Sequence, residues 1–84
     1  MEIIFTENGW KDYLYWQQND KKVVKKINAL LKNIKSTPFE GIGKPEALKY
    51  DLAKFWSRRI DKEYRLVYHV TEEYLYIISC RYHY

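Results

Sequence analysis

The chain has little of what usually anchors so small a fold or a metal-dependent site. Of its 84 residues, one is cysteine, two are proline, three are glycine and two are histidine. A single thiol, Cys80, closes no internal disulfide and builds no multi-cysteine zinc site, so both common staples of small scaffolds are excluded. A reduced, cytoplasmic setting is the simplest reading. His69 and His83 are not at i, i+4 spacing and have no tight carboxylate cluster beside them, which argues against metal-dependent catalysis. Nothing calls for a cofactor. The longest uninterrupted apolar run, Tyr74–Ile78, is far shorter than the roughly 20 residues of a membrane helix. Met1-Glu2-Ile3-Ile4-Phe5 lacks the basic start and long apolar stretch of an export signal.

What is present describes one globular domain over residues 1–84. The chain is about half the length at which a second domain is expected. Its 46% hydrophobic and 31% charged residues exclude a disordered composition. Nine tyrosines, with three tryptophans and three phenylalanines, supply bulk for a small core and polar tips for a surface. A net charge of +4 points weakly toward polyanions. The distribution says more: all four arginines (Arg58, Arg59, Arg65, Arg81) lie in the last third, and residues 21–39 carry six lysines and no acid. Lysine suits loose phosphate contact, arginine a fixed geometry.

Ile3-Ile4-Phe5 reads as a short first strand, with Thr6 capping a helix that runs to about Gln18. Asn19-Asp20 is a turn, and Asp20 caps a second helix. There Val23, Val24, Ile27, Leu30, Leu31 and Ile34 form the apolar stripe, and Lys21, Lys22, Lys25, Lys26 and Lys32 the opposite face. That lysine face is either a solvated surface or a contact for ribosomal RNA phosphates. Ser36-Thr37-Pro38 ends the helix, and residues 37–45, with both prolines, form a loop. The remainder reads as strands over about 46–52, 55–60, 65–70 and 74–80, with hairpin breaks at 61–64 and 71–73. The order predicts an α+β fold: an N-terminal strand and an α-helical hairpin packed on an antiparallel β-sheet.

Strand alternation sharpens this. Ile60, Leu66, Tyr68 and Val70 share a core face, which sends Ser57, Arg59, Arg65, Val67 and His69 to the other and makes Arg59 and Arg65 cross-strand neighbours. Facing like charges destabilise a sheet unless an anion lies between them. Arg58 lands on the core side, an exception that a bulge would accommodate. Met1, Cys80 and His69 are assigned to packing or surface.

Taken singly, the candidate site residues are bland. Glu46 beside lysines is a surface charge, Arg65 a structural or solvent-exposed arginine, and His83 an exposed terminal histidine. The set is more telling. Cleaving RNA through its own 2′-hydroxyl requires a base, an acid and positive charge on the phosphorane-like transition state, and glutamate, histidine and arginine supply them. Composition alone leaves an RNA-binding domain slightly ahead of a ribonuclease.

Several stretches resemble the YoeB toxins of the RelE/ParE-like superfamily: Asp12-Tyr13-Leu14-Tyr15-Trp16, Thr37-Pro38-Phe39-Glu40-Gly41, Gly43-Lys44-Pro45-Glu46, Phe55-Trp56-Ser57-Arg58-Arg59-Ile60, Tyr64-Arg65-Leu66-Val67-Tyr68 and the ending Cys80-Arg81-Tyr82-His83-Tyr84. The likeness spans essentially the whole chain and departs mainly on the helices and at Tyr50-Asp51. It implies a RelE-like, microbial-RNase-like fold and metal-independent cleavage of mRNA in the A site of the 70S ribosome. Neutralisation by a YefM-like antitoxin and homodimer formation are also implied. By the same resemblance Glu46 is the general base, His83 the general acid, Arg65 the transition-state cation and Tyr84 an aid to ordering the scissile nucleotide. Lys49 and Arg59 are the RNA-binding positions. The alternatives are a non-catalytic RNA- or ribosome-binding module and an interaction domain that only receives an antitoxin.

Overall fold

The computed structural model describes residues 1–83. A short strand β1 (Glu2–Phe5) leads into helices α1 (Glu7–Asn19) and α2 (Lys21–Ser36). Four strands follow: β2 (Glu46–Ala47), β3 (Trp56–Arg59), β4 (Tyr64–Val70) and β5 (Tyr74–His83), with a 3₁₀ turn at Tyr50–Leu52 between β2 and β3. The five strands form one sheet in the order β1-β5-β4-β3-β2. The α+β class is as expected, but the sheet is mixed, because β1 runs parallel to β5 while the other pairs are antiparallel. The helical hairpin and the rest of the sheet intervene between β1 and β5, which gives the chain the length a parallel pairing needs.

Each helix end has a cause. Thr6 Oγ1 accepts from the Gly9 amide at 3.0 Å and donates to the Ile77 carbonyl at 3.1 Å, so the cap of α1 is also a tie to β5. Asp20 closes one helix and opens the next: its amide donates to the Trp16 carbonyl at 2.8 Å, and its Oδ1 accepts from the Lys22 amide at 3.0 Å. On α2, Val23, Ile27, Leu30, Leu31 and Ile34 are buried against Ile60, Leu66, Tyr68, Leu75 and Ile77. Each such side chain contributes roughly 1.5–3 kcal/mol relative to exposure.

β1 pairs with β5 only as far as Phe5↔Ile77, which would leave the next stretch of that edge bare. Helix α1 covers it with one polar side chain per turn. Asn8 Nδ2 donates to the Ile78 carbonyl (3.2 Å), Asp12 Oδ2 accepts from the Cys80 amide (3.1 Å), and Trp16 Nε1 donates to the Cys80 carbonyl (2.7 Å). The approach is close enough that a Cβ on Gly9 would stand 2.2 Å from the Ile77 carbonyl oxygen. Burial, with the Asp12 carboxylate, pushes the Cys80 thiol up to about 12, so it remains a protonated packing group.

Three expectations are corrected. The strand anticipated over 46–52 is only two residues long, because Tyr50 takes a left-handed conformation (φ 58°) and the chain turns. β5 runs past Cys80 to His83. Arg58 sits in no bulge: it pairs regularly with Leu66 on the core side and is wholly buried. The register shifts fall between β4 and β5, at Arg65/Val67 and Val67/Tyr68.

Candidate active site

The face of the sheet turned away from the helices is assembled by the strand register. Glu46 pairs with Ser57, Ser57 with Val67, Arg59 with Arg65, and Arg65 with Tyr82. Directly opposed residues point the same way, so these side chains share one surface. The predicted proximity of Arg59 and Arg65 is therefore met. Arg65 is buried (3% exposed), and its Nη1 donates to Ser57 Oγ at 2.8 Å and lies 3.4 Å from Glu46 Oε1. Glu46 is 56% exposed, so its carboxylate bridges a buried cation and solvent. Arg59 is exposed.

Two guanidiniums facing each other across a ladder repel, and the Glu46 carboxylate beside Arg65 offsets part of that. A phosphate arriving on this surface would meet the exposed Arg59, with the buried Arg65 charge beneath and the Glu46 carboxylate alongside to take a proton. Lys49 is exposed and extended just before the 3₁₀ turn.

His83 lies elsewhere. It pairs with Tyr64, one position beyond the Arg65–Tyr82 pair, and alternation sends it to the opposite face. Tyr64 meets Trp16 of α1 edge-on, which marks that face as the helix side. There the His83 ring stands 5.7 Å from the Tyr64 ring, and its Nε2 is 3.7 Å from Glu63 Oε2. Two residues earlier, Arg81 stacks over the Tyr15 ring at 3.6 Å, on the same side. The structure thus brings together Glu46, Arg65 and Arg59 and places His83 across the strand from them. Tyr84 lies outside the described residues.

Three contributors escaped the sequence reading. Ser57 was placed on the correct face but given no task; it supplies a hydrogen-bond acceptor to Arg65. Glu63 faces His83 from the β3–β4 turn. Arg58 ties down the loop that delivers Glu46. Its Nε donates to Tyr68 Oη (3.2 Å), Nη1 to Asn33 Oδ1 (2.5 Å) and the Ile42 carbonyl (3.0 Å), and Nη2 to the Thr37 (2.8 Å) and Glu40 (3.0 Å) carbonyls. Tyr68 Oη in turn donates a hydrogen bond to the Pro38 carbonyl at 2.8 Å. Burial pushes the Tyr68 phenol up and the Arg58 hydrogen bond pulls it partly back, so it remains a donor. Gly41 (φ 123°) has no room for a side chain, since a Cβ would meet Asn33 Oδ1. The only sequence signal for this hub was the anomaly of an arginine on a core face. Among the described residues, no group of three or more His, Cys, Asp or Glu gathers as a metal site. No helix among them is long and apolar enough to cross a membrane.

The five-stranded sheet backed by a helical hairpin is the fold of a bacterial toxin: it superposes with a TM-score of 0.96 on the YoeB/ParE toxin from Agrobacterium tumefaciens, 50% identical over 100% of both chains. The chain belongs, more narrowly, to the YoeB-like toxins of bacterial type II toxin–antitoxin systems, whose family pattern it matches over residues 5–84. It is 61% identical to the YoeB toxin of Escherichia coli K12 over the full length of both chains. Among solved structures, a YoeB dimer from Staphylococcus aureus is 54% identical, covers 100% of this chain and 98% of its own, and superposes with a TM-score of 0.95. YoeB in a heterotetrameric YoeB–YefM complex from the same organism is 55% identical over 98% of this chain and 95% of its own, at a TM-score of 0.91.

Proposed function

We propose that this toxin is a ribosome-dependent mRNA endoribonuclease that cuts in the A site without a metal. The observation that carries this reading is the Glu46–Arg65–Arg59 arrangement on the open face of the sheet. Glu46 takes the proton of the 2′-hydroxyl as O2′ attacks phosphorus. Arg65, held by Ser57, stabilises charge on the phosphorane oxygens, and Arg59 with Lys49 holds RNA phosphates. The P–O5′ bond breaks as His83 protonates the leaving oxygen, giving a 2′,3′-cyclic phosphate and a 5′-hydroxyl. Tyr84 helps order the scissile nucleotide.

This assignment requires the end of β5 to move. His83 is 69% exposed and sits at the end of a strand, where a one-residue slip moves a side chain to the other face. Binding of the message supplies the reason: the His83 ring exchanges the Glu63 carboxylate for a phosphate. The partners proposed are mRNA, the 70S ribosome, a YefM-like antitoxin and a second copy of the chain, and the setting is the cytoplasm. The S. aureus relative's dimer and its complex with YefM support the two protein partners.

The test is expression of the chain without an antitoxin, followed by mapping of 5′ ends on a defined message. New ends within translated codons are expected, absent in Glu46→Gln and His83→Gln. The placement of His83 away from Arg65 favours a second reading, a non-catalytic RNA-binding module. Under that reading both variants arrest growth as the wild type does, and no ends form.

A further inference from the structure

A shallow cleft of about 470 Å³ opens beside the end of β3, lined by Lys26 of α2, Lys44 of the loop that follows, Arg59 and Ile60 of the strand end, and Asp61 and Lys62 of the β3–β4 turn. Four cations thus face one acid. One oxygen of that acid is committed locally: Asp61 Oδ1 accepts from the Glu63 and Tyr64 amides, both at 2.8 Å. Lys26 is half-buried, whereas Lys21, Lys22 and Lys25 on the same helix are exposed. Lys44 is held in the left-handed region (φ 51°), unusual for a residue with a side chain. Its loop is pinned to the sheet, since the Arg59 amide donates to the Gly43 carbonyl at 2.6 Å. Strain of this kind persists only where the surroundings impose it. The cleft is also continuous with the active-site face, because Arg59 lines it and pairs with Arg65.

We propose that this cleft is a phosphate-binding subsite that holds the RNA strand beside the cleaved step. The inference rests on the ribonuclease reading and extends it from one phosphate to its neighbours. Ammonium groups on three separate elements act as point charges, which suits a flexible sugar–phosphate chain. Ile60 is the one apolar side chain in the lining, so an acidic peptide would find charge there and almost no anchor.

The experiment compares binding of a short single-stranded RNA with 2′-O-methyl riboses, which cannot be cut, across a salt series. The full chain is used as wild type, as Lys26→Gln/Lys44→Gln/Lys62→Gln, and as Lys21→Gln/Lys25→Gln/Lys32→Gln, which removes equal charge from a face of α2 that does not line the cleft. The cleft variant should bind about tenfold or more weakly at low salt, with the slope of log K against log salt reduced by about two. The control variant should move less than half as far. Single Lys62→Gln should show a smaller change of the same sign. Equal losses in both triple variants, or no loss in either, overturn the subsite. So does a parallel loss of polyglutamate binding as large as that of RNA, which would make the cleft a peptide surface. A wild-type chain that binds this RNA through the cleft but never cuts an unmodified message on ribosomes sinks the ribonuclease reading alone. Cutting by a cleft variant whose RNA affinity is unchanged sinks the subsite alone.

Discussion

Arg58 and Arg65 are buried arginines on neighbouring strands and on opposite faces of one sheet, and the protein solvates them in different ways. Arg58 spends all five of its N–H groups on neutral oxygens, three of them carbonyls of the loop over residues 37–42. Those carbonyls, together with the C-terminal end of α2, replace water around the charge, so the group is a rivet with no capacity left for a ligand. Arg65 rests on a serine hydroxyl and a carboxylate that is itself largely in solvent. A carboxylate in that position can exchange its partner for a ligand at modest cost; a buried carbonyl cannot. Burial alone does not separate an arginine whose hydrogen bonds are all spent from one that can still be offered to a ligand. The accessibility of its partners does.

Four substitutions test that contrast, in order of expected effect. Arg58→Ala leaves buried carbonyls without donors and should destabilise the fold by about 4 kcal/mol, measured by urea unfolding. A loss below about 1 kcal/mol would remove the hub from the account. Arg65→Ala should lower cleavage of ribosome-bound message by about 10²–10³-fold. Its unfolding midpoint should move far less than that of Arg58→Ala; a matching drop in stability would erase the distinction between the two residues. Asn33→Ala removes one acceptor of Arg58 and the acceptor of the Ile42 amide, at a cost of about 1–2 kcal/mol in stability, with kcat retained in whatever fraction is folded. Ser57→Ala is the smallest: about 1 kcal/mol or less in stability and a several-fold fall in kcat, because Arg65 loses a positioning contact.

The helical hairpin was readable because its information is local: a 3.6-residue stripe, Asp20 between the helices and Pro38 after them are all properties of neighbouring residues. The pairing of Arg59 with Arg65 was readable too, since a short hairpin fixes register by simple alternation. The remainder depended on distant backbone. The carbonyls of Thr37, Glu40 and Ile42 that surround Arg58 carry no mark in the residue code, so an arginine on a core face registered as an irregularity. Tyr50 and Lys44 adopt left-handed conformations with no glycine to announce them. His83 was grouped with Glu46 by resemblance, whereas the register of β4 and β5, with its two shifts, aligns it with Tyr64. A strand that pairs irregularly cannot be assigned a face by counting along its own sequence.

The most direct test of the central claim is cleavage of a ribosome-bound message carrying a single 2′-deoxy nucleotide at the position of attack, with the all-ribose message as reference. If Glu46 activates the RNA's own hydroxyl on the Arg65 surface, the reference is cut to a 2′,3′-cyclic phosphate and the deoxy message stays intact at that step. Equal cutting of both would contradict the account, because the nucleophile would then have to come from somewhere other than the transcript.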